Sequence, residues 1–440
     1  MESSAPAAAR PSFGSLFLAP VRQAALSLDN RNYRLFWLAN SLFFIAQGLI
    51  LMGAQWLMLS LTDSRSLLGL IGTIQGLTVL ALSPIGGVLA DRLSRRNILI
   101  IVRGSLAAVM FVMTFLVFTE HVQIWHILVA VVVGGVALAF TQTATQTYVF
   151  DIVGRERLTN AIALNTLATA VFQIISPSIG GTLLALIGPE GTYLSGAIGF
   201  ALASALLLLV PLLGRSQSAK HAGAFLKTTV EDASEGFVYM WRDPALRWLI
   251  AFGLITFCGG AVIVLRPVYA KELLNVGASG LGWLGTAFGA GALLSGLVMA
   301  ALGSRVRYLG LALLLGQTDW MACQLLYSFS NSYALCLVLE FFLGLSVPFL
   351  GASAIAMIQL RVPPELRNRV LTVYFMLITL INVSWWVTGR MADWLGDRQA
   401  LMYMGAVGLG LNLLVILFGR HLSLMGTRKY PVVRPSPAGG

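Results

Sequence analysis

Charge is scarce in this 440-residue chain: Asp, Glu, Lys and Arg together make up 11% of it, against roughly 25% in a typical soluble domain. With so few charges and so much apolar content, a disordered chain is excluded. Only three cysteines occur, Cys258, Cys323 and Cys336, all inside apolar stretches, which excludes a disulfide framework. The four histidines, His121, His126, His221 and His421, are dispersed and form no His-Glu-x-x-His motif. None of the four lysines follows a glycine, so the chain carries no P-loop for a nucleotide. No Gly-x-Ser-x-Gly run supports a nucleophile elbow. The expectation is a protein without cofactor, metal centre or catalytic constellation.

What the chain has instead is hydrophobic length. Apolar residues account for 57%, and the mean hydropathy is +0.82. A bilayer core is crossed by about 20 consecutive apolar residues in a helix. Twelve such spans are read at 34–59, 67–90, 97–118, 123–147, 160–187, 191–213, 246–270, 279–302, 308–329, 332–357, 369–391 and 399–419. Helices are required, because lipid cannot satisfy the open edges of strands. The predicted fold is therefore an all-α integral membrane protein of twelve transmembrane helices in two six-helix halves. Residues 1–33 form an N-terminal arm with no compact apolar core of a signal peptide, its stretch Leu16 to Leu28 being a candidate for the membrane interface. A first half at 34–213, a linker at 214–245, a second half at 246–420 and a tail at 421–440 complete the division.

The formal net charge of +11 suggests nucleic acid at first sight, but its distribution points to topology. With the N-terminus inside, the inner segments hold 23 Lys and Arg and the outer segments hold three: Arg65, Lys271 and Arg398. Arg103, Arg266 and Arg390 fall within spans. A 23 to 3 split places both termini on the cytoplasmic side, as positive residues do in polytopic proteins, and leaves no role for nucleic acid.

The two halves resemble each other at a near-constant offset. Arg31, Leu35, Trp37 and Leu38 match Arg242, Leu246, Trp248 and Leu249, 211 positions on. Leu68-Gly69-Leu70-Ile71-Gly72 matches Leu281-Gly282-Trp283-Leu284-Gly285, 213 on. Glu156 and Gly180 match Glu365 and Gly389, 209 on. Repeats of this kind build secondary transporters, whose substrates bind near the midplane between the halves.

After span 2 comes Gly86-Gly87-Val88-Leu89-Ala90-Asp91-Arg92-Leu93-Ser94-Arg95-Arg96. It resembles the cytoplasmic loop signature of the major facilitator superfamily, Gly-x-Leu-Ala-Asp-Arg-x-Gly-Arg-Arg, with Ser94 in place of a Gly. The resemblance extends over about 31–420. It implies that Asp91 sits against the start of span 11, here Pro363-Pro364-Glu365-Leu366-Arg367-Asn368-Arg369, where a helix N-terminus favours an anion. Gly87, Asp91, Arg92, Arg95, Arg96, Glu365, Arg367 and Arg369 are thus gating candidates; Arg92, Arg95 and Arg96 are equally readable as topology determinants alone. The second-half counterpart, Gly303-Ser304-Arg305-Val306-Arg307, lacks the acid. The stretches Asp151 to Ala161, Glu235 to Pro244 and Val362 to Val370 are similar to the branch of drug and siderophore exporters, enterobactin-type and macrolide-type, from which Thr143 and Gln146 depart. The resemblance implies export of a small amphipathic or hydrophobic compound by alternating access, with protons as the coupling ion, in a bacterial inner membrane. An importer or a flippase for a lipid-like substrate shares the fold. A sensor that no longer transports is the rival from another class.

Span 5 carries Ser176-Pro177-Ser178-Ile179-Gly180-Gly181, similar to the exporter-associated Gly-Pro-x-x-Gly-Gly motif. Ser176, Pro177, Gly180 and Gly181 mark either a bend that flexes beside the cavity or a plain packing kink. Ionisable groups inside spans default to functional candidates, which singles out Glu340 in span 10 and Asp319 in span 9. Glu340 is a proton or cation site if unpaired, and a structural ion-pair member if Arg266 or Arg390 meets it. Asn40, Gln47, Gln142, Gln146, Gln173 and Asn382 line a pathway or bond between helices, and Trp385 and Trp386 are candidate apolar contacts.

Overall fold

A computed structural model describes residues 26–211, 225–302 and 308–419. Most of the expected N-terminal arm, the start of the linker at 214–224, the run 303–307 and the tail fall outside these residues. So do the side chains of Asp91, Arg92, Gln146 and Gln173 and the surroundings of Gly87, whose backbone lies in helices.

The described residues form a bundle of long helices. Spans 1 to 3 are Arg31–Leu61, Arg65–Arg92 and Arg95–Phe118. Next comes one helical run, Ile124–Leu208, interrupted at Gly154 and Gly188, each with φ of 69° and an extended ψ. Only glycine adopts that conformation without strain. The two breaks divide the run into spans 4, 5 and 6 at 124–153, 155–187 and 189–208. Pro189 opens span 6 directly after its break, where a missing N–H does no harm. The connection expected at 148–159, between spans 4 and 5, is therefore helical on both sides of Gly154. A connecting helix Phe225–Arg242 precedes span 7, Arg247–Leu273. Spans 8 to 12 are Gly277–Leu302, Leu309–Phe329, Tyr333–Arg361, Pro364–Leu395 and Asp397–Phe418. Eleven stretches among the described residues are long and apolar enough to cross a membrane; one of them, Ile174–Leu208, contains the Gly188 break and so belongs to two passes.

Local chemistry explains where the helices start. Asn30 caps span 1 by accepting from the N–H groups of Asn32 (2.9 Å) and Tyr33 (3.3 Å). Ser94, the departure from the family's loop signature, caps span 3 by accepting from Asn97 N–H at 3.3 Å. Asp243 caps the turn into span 7 through Ala245 and Leu246 (2.9 and 3.1 Å), and also pairs with Arg361 at the end of span 10 (2.7 Å). Span 7 is broken at Gly259, and side chains of span 9 compensate. Trp320 donates to the Gly259 carbonyl (3.1 Å) and Gln324 to that of Cys258 (3.0 Å). In lipid these carbonyls would otherwise go unpaired.

Both the chain's described start and residues 92–95, 243 and 362 lie on one face of the bundle, the terminal face; residues 62–64, 274–276 and 396 lie on the far face. Two seams join spans 1–6 to spans 7–12, span 2 against span 11 and span 5 against span 8. Glycine makes both possible. A methyl group at Gly181 would stand 2.5 Å from the Ala278 carbonyl oxygen and 2.7 Å from Gly282 Cα. One at Gly282 would meet the Pro177 carbonyl oxygen at 2.7 Å, and one at Gly285 the Pro177 ring at 2.5 Å. Across the other seam, side chains at Gly69, Gly72 and Gly76 would overlap Trp385 and Asn382, and one at Gly389 would overlap Arg65. The runs that match each other in sequence, 68–72 and 281–285, thus sit at corresponding seams. Backbones that approach this closely gain dispersion contacts that lipid tails cannot supply.

Overpacking a tight contact typically costs about 1–3 kcal/mol. We expect Gly282→Leu to lower the apparent melting temperature of detergent-purified protein. Gly351→Ala, at a position with nothing within 4 Å, leaves it unchanged.

Candidate functional site

Between the two seams lies a cavity of about 320 Å³. Spans 1, 2, 4, 5, 7, 8 and 11 contribute its walls, and most of the lining is apolar: Phe44, Leu51, Leu138, Ile263 and Leu281 are typical. Three amides enter it, Gln47 and Gln55 from span 1 and Gln75 from span 2. Among the described residues Gln47 Oε1 has no hydrogen-bond partner, and neither has the indole N–H of Trp385, which also lines the space. Ser176 and Pro177 of span 5 reach the wall.

One lining residue is charged. Arg266 of span 7 reaches the cavity while its Nε and Nη2 donate to the two carboxylate oxygens of Glu340 at 2.6 and 2.7 Å. The guanidinium also lies over the Phe288 ring, 5.2 Å from its centroid, where the ring quadrupole attracts a cation. Glu340 is fully buried behind it, so the cavity meets the cation and not the acid. Two-point pairing is the geometry that makes a charge tolerable at this depth. Arg390, the other possible partner, sits instead over Trp394 of its own helix.

The remaining candidates from the sequence are distributed elsewhere. Asn40 lies on nearly the same face of span 1 as Gln47, but about 10 Å further along the axis. There it is buried, bonded to Asn165 at 2.7 Å and accepting from Arg103 at 3.0 Å. Arg103 is fully buried, lies over Phe43, and has no partner for its Nε or Nη1. Asn382 packs on Gly76 in the seam, its carbonyl accepting from Thr73 at 2.7 Å. Gln142 is exposed on span 4, and Trp386 is exposed beside the buried Trp385. Gly180 packs on Leu49 and Met52 of span 1, whereas Gly181 faces span 8. Asp319 lies on span 9, bonded to Ser346 of span 10 and away from the cavity.

Of the loop candidates, Arg95 pairs with Asp151 (2.5 Å) and Arg96 donates to the carbonyls of Leu207 and Leu208 (2.9 and 2.6 Å). Both tie span 3 to the ends of spans 4 and 6. Arg369 bonds Glu235 of the connecting helix, Arg367 reaches the Val362 carbonyl at 3.5 Å, and Glu365 is exposed in the first turn of span 11. The contact expected between Asp91 and span 11 lies outside the described residues.

The far face holds a network that the sequence reading missed. Asp393, at the end of span 11, accepts from the backbone N–H groups of Arg65 (2.7 Å) and Ser66 (3.1 Å), the first residues of span 2. A carboxylate on a helix N-terminus is favoured by unpaired amides and the helix dipole. Arg65 itself binds Asp397 (3.1 Å) and Glu272. Lys271 donates to the Leu59 carbonyl (3.2 Å) and Ser60 (3.1 Å) and lies over Trp56. The signal was present: Arg65 and Lys271 are two of only three basic residues assigned to that side, and six acids, Asp63, Glu120, Glu190, Glu272, Asp393 and Asp397, share it.

Comparison with known proteins bears on the whole arrangement. The family model described as Major Facilitator Superfamily matches residues 36–384. The enterobactin exporter EntS of Escherichia coli O1:K1 is 26% identical over 411 residues, 92% of this chain and 94% of that protein. The match to the same exporter of Shigella flexneri, 27% identical, spans 62% of this chain and 64% of that protein. Macrolide efflux protein A of Streptococcus pyogenes is 21% identical, covering 84% of this chain and 92% of that protein. Among solved structures, the nucleoside transporter NupG is similar with a TM-score of 0.65 at 14% identity, over 88% of this chain and 99% of that one. With the family model matching most of the chain, and with helices, seams and cavity arranged as described, the protein belongs to the Major Facilitator Superfamily.

Proposed function

We propose that the chain is a secondary active transporter that exports a small amphipathic or hydrophobic compound in exchange for protons. The observation that carries this reading is the cavity between the two sets of spans, apolar apart from a few amides and one paired guanidinium. Such a lining suits a molecule that is largely apolar with a few acceptor groups. The export direction is supported by the names of two relatives, an enterobactin exporter and a macrolide efflux protein.

The distribution of basic residues supports a cytoplasmic terminal face. On that assignment the far-face network and both seams shut the cavity from outside. Opening outward then requires Arg65 to leave Glu272 and Asp397, and Asp393 to leave the start of span 2. Asp91 at the start of span 11 is the counterpart for the other state: the same two helices latched at their other ends. Span 5 joins the motion through Pro177, which touches both the cavity and span 8. Trp385 does the same for span 11, lining the cavity while its ring packs on Gly72.

Arg266 meets Glu340, so the acid is an ion-pair member and not the unpaired proton site of the sequence reading; we infer that the pair itself, at the cavity wall, supplies the coupling. While paired, they present little net charge to an apolar solute. A proton arriving on Glu340 releases Arg266, and an uncompensated guanidinium at the cavity wall draws in water. An apolar solute is then bound more weakly, so proton and substrate compete, as exchange requires. Burial of an unpaired charge is costly, which drives the pair to re-form once the proton leaves to the cytoplasm.

The reading is tested in cells by retention of dyes, antibiotics and siderophores, comparing wild type with equal amounts of Asp91→Asn. Lower retention of one compound class by wild type alone, reversed by a protonophore, is expected; equal retention across the panel overturns the proposal. Arg266→Gln leaves Glu340 as a buried lone charge, for which losses of about 3–5 kcal/mol are typical. A sharp fall in purified yield and melting temperature is therefore expected, with recovery in the double variant Arg266→Gln, Glu340→Gln. The far-face latch is tested with Gln55→Cys in a cysteine-free background, labelled by a membrane-impermeant maleimide from outside intact cells. Arg65→Gln is expected to raise the labelling rate severalfold; an unchanged rate rules out the latch.

A further inference from the structure

A second space lies on the flank of spans 7–12, apart from the cavity just described. Spans 9 and 10 enclose a cleft of about 470 Å³. These helices pack on each other and on spans 7, 8, 11 and 12, and none of the cleft's lining is shared with the central cavity. Leu311, Leu315 and Phe342 on its walls are exposed, and Phe349 meets Gly316 at its floor. In a protein that spans a bilayer, an exposed apolar flank of this kind faces acyl chains.

At mid-span this apolar cleft contains a carboxylate, Asp319. The Ser346 hydroxyl donates to one oxygen, and the Cys323 thiol contacts the other at 3.6 Å. Both are neutral, and one is a weak donor. Among the described residues Asp319 has no ion pair, and no basic residue lines the cleft. Asp319 is half-buried, whereas Glu340, the fully buried acid of span 10, is matched by Arg266. A carboxylate at this depth is expensive without a counter-charge, and intramembrane acids are found paired or serving a ligand or ion. Here the described protein residues bring no counter-charge, while a drug-sized apolar space adjoins the acid and opens toward lipid.

We propose that this cleft is a binding site for a lipid-soluble amine, entered from the bilayer. The protonated nitrogen pairs with Asp319 beside Ser346, and the hydrophobic body lies along Leu311, Leu315 and Phe342. The chemistry selects against anions, which the carboxylate repels, and against neutral lipids, which leave it unpaired. The site stands independently of the export reading, because it uses no residue of the central cavity.

The test is equilibrium binding of nortriptyline, a lipophilic secondary amine, and of its uncharged N-acetyl derivative. Full-length protein in phosphatidylcholine nanodiscs is used, so that no anionic lipid attracts the cation. Saturable binding of the amine is expected, with the N-acetyl derivative at least tenfold weaker. Asp319→Asn should weaken the amine at least tenfold while leaving the melting temperature unchanged. Leu315→Trp, which fills the cleft from its exposed side and keeps the acid, should have a similar effect. Leu417→Trp, on the exposed face of span 12 and in neither cavity, should not. Equal affinity for amine and amide would make the cleft an acyl-chain groove and overturn the proposal. Undiminished binding by Asp319→Asn, or no saturable binding to wild type, overturns it as well. Loss of export in cells with this binding intact would count against the export reading alone.

Discussion

Two sets of helices meet in this molecule across two glycine seams, and the closeness of that approach sets everything else. Within a bilayer there is no hydrophobic gain in pressing one apolar helix against another, since the lipid is as apolar as the side chains. Contact must come from backbone approach and close packing. Gly181 against Gly282, and Gly69 and Gly72 against Trp385, supply that approach. The cavity exists because the helices touch at these seams and separate between them. Pro177 and Trp385 belong to the seams and to the cavity wall at once, so a change in the cavity's contents bears directly on the contacts between the two sets.

The second organising fact is the treatment of charge inside the spans. Three solutions occur. Glu340 and Arg266 neutralise one another in a two-point pair. Arg103 is buried without an acid, resting on Asn40 and the face of Phe43. Asp319 has only a hydroxyl and a thiol. The cost of burial rises as the partnering weakens, which marks the last two as positions where something beyond packing keeps the charge. At the far face, where charge is cheap, it ties the ends of spans together. There Asp393 holds the start of span 2, and Arg65 gathers Glu272 and Asp397. The acid of the loop signature stands at the other end of span 2, so that in the proposed cycle one helix pair carries a latch at each end.

Hydrophobic length, helix class and pass number were legible in the sequence because lipid imposes a simple rule on each segment separately. The repeat 68–72 and 281–285 was legible too, though not its meaning as a pair of seams. The joins between spans 4, 5 and 6 were less so: Gly154 and Gly188 turn the chain within single residues, and an apolar count cannot see a break that brief. Of the candidate site, Gln47 and Trp385 were named from residue type and span position, Ser176 and Pro177 from the resemblance to the exporter motif, and all four line one cavity. Asn40 and Gln47, both pathway candidates, stand seven positions apart on span 1, yet depth along the helix separates their surroundings. The far-face network went unread because its members come from residues 63–66, 271–272 and 393–397, and nothing in a linear pattern brings these together.

The sequence by itself determined the spans, their helical state, the asymmetry of basic residues and the family's loop signature, each a local property of a segment facing lipid or water. The tertiary structure alone decided which acid is answered by which base, which glycines touch, and where space is left over. Glu340 meets Arg266 rather than Arg390 because spans 7 and 10 present those groups at one depth. Among the described residues Asp319 meets no base, because spans 9 and 10 bring none to the cleft. Helix rotation and relative depth set both outcomes, and those are fixed only when the whole bundle packs.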